Sequence, residues 1–381
     1  TRQLLEKCGN PHHKVKAVQI AGTNGKGSTA AITWWILKRH GVIAGLYTSP
    51  HLLRFNERIR VGDHCIPDDY MVYWIKTYRA TLEELDVTFF EATTVMALSY
   101  FAECGVDLAV LETGLGGRLD ATTAAGAKWA ALTPIDLDHM DMLGETTKAI
   151  AQEKAAIIRS GGTCYSAPQS PVVTAVIRDM AAERQAQVEF IPATADIPHL
   201  QWLPGEHQRL NAALARRLAQ VILGHEYDEG TAREAIRQAV WPGRYQIIRS
   251  KPRIIFDVAH NPHGFEAFWS TFEKETVTGL KWLVLALQTG KSACEALQVA
   301  CQGFDRIILT QTGIRHYMAA DDLTTYLQHD RPEPEVIPDP VAAINTAAGK
   351  AKENDLIVIL GSHYLGPAVA EALKISFDMV A

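Results

Sequence analysis

The residues Ala21-Gly22-Thr23-Asn24-Gly25-Lys26-Gly27-Ser28 set one lysine among three glycines, between an apolar run and an amphipathic one. Glycines allow a backbone to wrap closely round a phosphate, and a following helix would aim its free N–H groups at it. Lys26 could then serve as a point charge for the outer phosphates. The strict G-x-x-x-x-G-K-[ST] pattern is not met, because Ile20 occupies the place of its first glycine and Gly27 follows the lysine. A plain glycine-rich turn therefore stays open beside phosphate binding. A similar tripeptide, Gly290-Lys291-Ser292, lacks its upstream glycine, with Leu285 in that place, and reads better as a loop with Ser292 capping a helix.

Other groups able to do chemistry follow apolar runs. Glu112 ends the run Val106–Leu111 and leads into a Gly114 to Asp120 stretch rich in glycine. Asp136, Asp138, His139 and Asp141 follow Ile135, and Asp257, His260, Asn261 and His263 follow Phe256. Carboxylates and imidazoles from separate strand ends can converge on a cation such as Mg²⁺, which keeps several waters and takes few protein ligands. Solvated loops and N-capping aspartates share this pattern, and Asn261-Pro262 is itself a turn starter. Gly361-Ser362-His363-Tyr364, after another apolar run, has the same character.

These groups need a scaffold of strands and helices. Val15 to Ile20, Val42 to Tyr47, Val106 to Leu111 and Ala130 to Ile135 read as strands, the third as a near-continuous apolar run of the kind buried on both faces of a parallel sheet. Between and after them, 28–40, 92–104 and 147–159 read as helices, the last carrying Glu153 and Lys154. The pattern weakens over 162–204, where prolines interrupt it, then returns as helices over 206–223 and 231–240. A new alternation begins after Pro252, with strands over 253–258, 282–287, 306–309 and 356–360 and a helix over 265–273. The expectation is an α/β protein with an open doubly wound sheet. Its domain boundary is placed near 249, giving domains 1–248 and 249–381. The 381 residues are long for one core.

The net charge of −6 gives no basic excess for nucleic acid or an anionic membrane, so an anionic ligand would need local positive charge. No long uncharged apolar run could span a bilayer, and the six scattered cysteines form no C-x-x-C pair. Free thiols in the cytoplasm are the expectation.

Taken in order, the motifs resemble the folylpolyglutamate synthase/dihydrofolate synthase family of the Mur-ligase superfamily. The resemblance rests on Gly22 to Ser28, Thr48-Ser49-Pro50-His51-Leu52, Arg54 to Ile59, Phe89-Phe90-Glu91 and Leu111 to Thr122. It continues through Leu137-Asp138-His139, Gln152 to Ala155, Gly205 to Ala212, Pro242-Gly243-Arg244, Phe256 to Pro262 and Gly361-Ser362. It implies a large P-loop-type ATP-binding domain and a smaller Rossmann-like domain for the amino acid. It also implies ATP-dependent addition of L-glutamate to folate, and to dihydropteroate, through an acyl phosphate.

By that resemblance Gly22, Thr23, Asn24, Gly25, Lys26, Gly27 and Ser28 would hold the ATP phosphates, with Asn211, Arg244 and Asp257 at the nucleotide. Ser49, Glu112 and His139 match Mg²⁺ ligands. Lys154 matches a lysine that becomes carbamylated and holds a second Mg²⁺. His260 and Ser362 match positions that place the incoming glutamate, Asp257 and His260 being counted with Lys26 and Lys154 as catalytic. Pro50, His51 and Arg58 belong to a loop expected against the pterin-bearing substrate. A monomer is the family's usual condition. The sequence departs from the family pattern at Thr123, where asparagine is usual, and around Gln288 to Ser292. Another Mur-type ligase, or a non-catalytic nucleotide-binding paralogue, is the alternative.

Overall fold

The computed structural model describes residues 1–289, 293–314, 317–327 and 333–377, with 293–296 as backbone. They form two compact units, Thr1–Gln201 with His207–Val240, and Trp202–Glu206 with Trp241–Ala381.

The first unit is built on β1 (Lys16–Ala21), β2 (Ala44–Tyr47), β3 (Ile59–Val61), β4 (His64–Cys65), β5 (Leu108–Glu112), β6 (Trp129–Leu132), β7 (Thr163–Ser166) and β8 (Gln187–Phe190). Their order is β4-β3-β2-β5-β1-β6-β7-β8, parallel from β2 to β8, with an antiparallel hairpin at the β4 edge. Central β5 is buried at every position, and β1 at every position but its first. That is why their sequences are continuous apolar runs rather than alternating ones. Two apolar clusters flank the sheet, one around Trp74, Phe101 and Leu111, the other around Leu132, Ile150 and Ile177.

The second unit adds β9 (Gln246–Ser250), β10 (Arg253–Asp257), β11 (Lys281–Leu285), β12 (Arg306–Leu309), β13 (Glu335–Val336) and β14 (Leu356–Leu360), ordered β13-β12-β11-β14-β10-β9. Among these six strands only β9 runs antiparallel. The division between units falls at Val240/Trp241; position 248/249 lies inside β9, whose pairing with β10 draws it into this sheet.

Several local readings change. The expected helix 28–40 begins earlier, at Lys26, because Gly25 takes a left-handed conformation as its N-cap. The helix expected over 147–159 ends at Ala155, since Ile157 and Ile158 turn back to the carbonyls three residues behind. The weak stretch after 162 holds β7, the helix Pro171–Glu183 and β8. Pro171 starts that helix behind the Ser170 cap rather than breaking it. The helix Asp68–Glu84 and the β3–β4 hairpin escaped the sequence reading. The expected Ser292 cap, with Gly290 and Lys291, lies outside the described residues. Cys8, Cys65, Cys104, Cys164 and Cys301 are free thiols.

Candidate active site

At the carboxyl end of β1 the chain turns through Gly22 with φ of 145°. A Cβ there would stand 1.9 Å from Thr133 Oγ1, so no side chain fits. Thr23 fastens the turn to the strand end next door: its N–H donates to the Pro134 carbonyl, and its hydroxyl donates to the Asp136 carbonyl at 2.9 Å. Gly25 makes the second turn with φ of 90°, and a Cβ there would lie 2.4 Å from Asn211 Oδ1. Asn211 is buried on the helix Glu206–Leu223 and donates to Gln208 Oε1 at 3.1 Å. Gly27 and Ser28 then enter the helix Lys26–Arg39, where the buried Ser28 Oγ and Thr29 Oγ1 have no partner. Buried hydroxyls at a helix N-terminus are groups that an anion would satisfy.

Two lysines meet on one oxygen of this loop. Lys26 Nζ donates to the Gly22 carbonyl at 3.2 Å and the Thr23 carbonyl at 2.9 Å, and Lys154 Nζ donates to the same Gly22 carbonyl at 2.8 Å. Lys154 is 3% exposed. Burial, and then the charge of Lys26, pulls its ammonium down to about 7, against a smaller opposing pull from Asp138 and Asp120.

Beside it, the loop after β5 is organised by Asp120. Its carboxylate accepts from the N–H groups of Gly114, Leu115 and Thr122. Burial is the largest influence on its pKa, which it raises. Gly117 lets this loop press on the helix bearing Lys154: a Cβ there would lie 2.8 Å from the Glu153 carbonyl. Thr123, the departure from the family pattern, accepts from Gln19 Nε2 at 2.7 Å and donates to the Gly117 carbonyl at 2.7 Å. Sequence reading missed Gln19 and Asp120 as organisers of the site; a glutamine inside an apolar strand was the available signal.

Of the expected metal ligands, Ser49 and Glu112 are brought together, the Ser49 N–H donating to Glu112 Oε2 at 3.1 Å, with Glu112 buried. His139 is exposed at the N-cap of the helix Met140–Leu143, its N–H donating to Asp138. Among the described residues no group of three His, Cys, Asp or Glu side chains gathers for a metal; the expected set holds only two residues of those types. Next to Ser49, Pro50 leads to His51, whose Nδ1 accepts from Arg58 Nε at 2.9 Å. Burial first, and then Arg58, lowers the His51 pKa. The Arg58 guanidinium lies over Phe55 and Phe89, and Phe89 is 62% exposed.

In the second unit, Asp257 and Leu360 are paired neighbours at the carboxyl ends of β10 and β14. The buried Asp257 carboxylate accepts from the N–H groups of Tyr245 and Ala259, both at 2.7 Å. Burial raises its pKa against the pull of Arg244. Arg244 Nη2 lies 3.4 Å from His363 Nε2, and the His363 and His260 rings are 5.7 Å apart. The buried Ser362 accepts from the Tyr364 N–H. The sequence reading named His363 beside Ser362 among the strand-end groups but gave it no role.

The first unit matches the model of the Mur ligase middle domain over residues 20–189, and the second matches the Mur ligase glutamate ligase domain over 243–363. The dihydrofolate synthase/folylpolyglutamate synthase of Bacillus subtilis (strain 168) is 30% identical over 98% of this chain and 94% of its own. The chain belongs to the folylpolyglutamate synthase/dihydrofolate synthase family. Its architecture, two α/β units of Mur-ligase type, is that family's. The Mycobacterium tuberculosis folylpolyglutamate synthase complexed with ADP and AMPPCP superposes with a TM-score of 0.90 at 27% identity, covering 98% of this chain and 94% of that one. The bifunctional folylpolyglutamate synthase/dihydrofolate synthase from Yersinia pestis, complexed with AMPPNP and Mn ion, does so with a TM-score of 0.87 at 27% identity, covering 98% and 92%. Among the described residues no helix is long and apolar enough to cross a membrane.

Proposed function

We propose that this protein is an ATP-dependent ligase that adds L-glutamate to folate and to dihydropteroate. The observation carrying the reading is the convergence of Lys26 and Lys154 on the Gly22 carbonyl, beside the partnerless Ser28 hydroxyl. The Lys26 ammonium beside that hydroxyl gives a spot of positive potential suited to the outer phosphates of a nucleotide, and the buried Lys154 nitrogen on the same oxygen stands next to it.

The acceptor's carboxylate oxygen attacks the γ-phosphorus of ATP, the bond to the β-phosphate oxygen breaks, and ADP leaves an acyl phosphate. The glutamate amine attacks the acyl carbon, loses a proton, and inorganic phosphate departs as the amide forms. Such chemistry asks for positioning and charge neutralisation rather than covalent work by the protein. Lys26 and the loop from Gly22 to Ser28 neutralise and orient the phosphates; Asn211, Arg244 and Asp257 serve the nucleotide. His260 and Ser362 orient the glutamate. Pro50, His51 and Arg58, with Phe55 and Phe89 against the guanidinium, face the pterin-bearing acceptor.

The donor chemistry fits divalent magnesium: the buried Glu112 carboxylate beside Ser49, with His139 and a modified Lys154, would hold it in two sites. Magnesium there would neutralise charge on the transferred phosphoryl group. Lys154, lowered to about 7, has a large neutral fraction at neutral pH. The neutral amine is the form that adds CO₂, releasing a proton and becoming a carbamate. That chemistry explains a buried lysine where a carboxylate would serve. The reading includes a monomer acting in the cytoplasm. A net charge of −6 favours small-molecule substrates over nucleic acid.

The test is glutamate-dependent phosphate release from ATP and Mg²⁺, with dihydropteroate and with tetrahydrofolate as separate acceptors. Turnover with both establishes the double activity, and turnover with tetrahydrofolate alone restricts it to chain extension. Silence with both overturns the folate reading in favour of another Mur-type acceptor.

A further inference from the structure

The glycine-rich site occupies the carboxyl ends of β1 and β6. At the opposite, amino-terminal ends of the same strands lies a cavity of about 420 Å³ lined by His12, His13, Lys16, Lys128, Arg159 and Gly126. Among the described residues no carboxylate lines it. Among the described residues none of these five basic side chains is in an ion pair. The chain as a whole is acidic, at −6, so this is no sample of a generally basic surface.

The cluster is assembled from separate segments. Lys16 is the exposed first residue of a strand otherwise buried, and the exposed Lys128 immediately precedes β6. Lys128 Nζ rests 4.8 Å from the Trp129 ring centroid. Arg159 reaches over Gly126, where a Cβ would stand 3.3 Å from its Nη1, and its Nη2 donates to the Thr123 carbonyl at 3.5 Å. The His12 and His13 rings are tilted by 51° with centroids 4.1 Å apart, and His12 Nδ1 is buried without a hydrogen-bond partner. The charges of Lys16, Lys128 and Arg159, gathered in one concavity, raise each other's energy, and an anion relieves all three together.

We propose that this cavity is a second anion site, taking a small oligoanion that carries two or more phosphate or carboxylate groups. Its size falls in the range of small-molecule pockets, about 300–1,000 Å³. Nucleic acid would call for an extended basic face rather than a cavity on an acidic chain. The floor, from the buried Val15, Ala17 and Ala125, leaves the charged groups at the rim to make the contacts.

The experiment titrates the full chain, saturated with AMPPNP and Mg²⁺ at low ionic strength, with inorganic tripolyphosphate and separately with tri-γ-glutamate, by calorimetry. One additional site per chain is expected with at least one probe, and the stronger arm identifies phosphate or carboxylate as the ligand. Lys16→Ala/Lys128→Ala should weaken it by at least about tenfold, the scale of losing two charge-assisted contacts. Lys16→Arg/Lys128→Arg should retain it, and so should Lys26→Ala. Both lysines are exposed, and an unchanged melting temperature verifies the fold of each variant. The proposal is overturned if neither probe binds or if the double alanine variant binds as well as wild type. It is equally overturned if binding is lost in Lys26→Ala and kept in the double variant, which would put the anion at the glycine-rich loop.

Discussion

The strand-end clusters of the two units solve different problems with similar residue types. At the glycine-rich loop of the first, backbone carbonyls hold the side chains: Lys26 and Lys154 both donate to Gly22, so the polypeptide positions them. In the second, side chains hold the backbone. Asp257 ties down the N–H groups of Tyr245 and Ala259, Asn261 that of Gly264 and Ser362 that of Tyr364. A charge positioned by backbone can be removed with little loss of fold, whereas a carboxylate that satisfies buried N–H groups cannot. Substitutions of Lys26 should therefore act mainly on turnover, and those in the second cluster also on stability.

Lys26→Ala is the sharpest way to break that contrast. Phosphate release should fall by at least about 10²-fold, the scale for losing a preorganised electrostatic contact, with every acceptor and with a melting temperature close to wild type. Retained turnover would remove Lys26 from phosphate handling. Lys154→Ala should also be weak, and added short-chain carboxylates should restore part of its activity if a carbamate is the working form; activity equal to wild type would take Lys154 out of the mechanism.

Asp257→Ala should lower unfolding stability by about 1–3 kcal/mol, because two N–H donors lose their shared acceptor. Urea denaturation checks this, and an unaltered midpoint would mean that the turn does not depend on the carboxylate. The smallest effect concerns pH. Lys154 is lowered in the folded protein to about 7 from 10.5. Between those values the unfolded chain binds the extra proton, so stability rises with pH across the window and falls again as pH drops toward 7. In nucleotide-free and metal-free protein, Lys154→Met should flatten that part of the denaturation profile; an identical slope in both proteins would deny Lys154 its burial cost.

Much of the parallel sheet was legible because strands buried on both faces must be apolar throughout. The run before Glu112 and the run before Asp257 both announce themselves. Elements with one exposed face did not. The helix Asp68–Glu84 buries only Trp74, and β8 has no fully buried residue, so neither displays a strong apolar signal. The candidate site divides similarly. Gly22, Gly25 and Lys26 are close together in a loop whose backbone needs are local, and they could be singled out from composition and context. By its own pattern Lys154 looked like any helical lysine, and the family resemblance alone singled it out; its burial and its approach to Gly22, far away in sequence, are tertiary.

By itself the sequence determined the alternation of strands and helices, the glycine turn ahead of a helix, and the carboxylates and imidazoles at strand ends. Each of these depends on neighbours within a few residues. Tertiary structure alone decided that Lys154 shares an oxygen with Lys26, that Asn211 stands over Gly25, and that Thr123 joins Gln19 to Gly117. It likewise gathered Lys16, Lys128 and Arg159 round one cavity at the amino-terminal ends of β1 and β6. Burial and mutual charge depend on which distant segments pack together, and residue spacing along the chain carries no record of that.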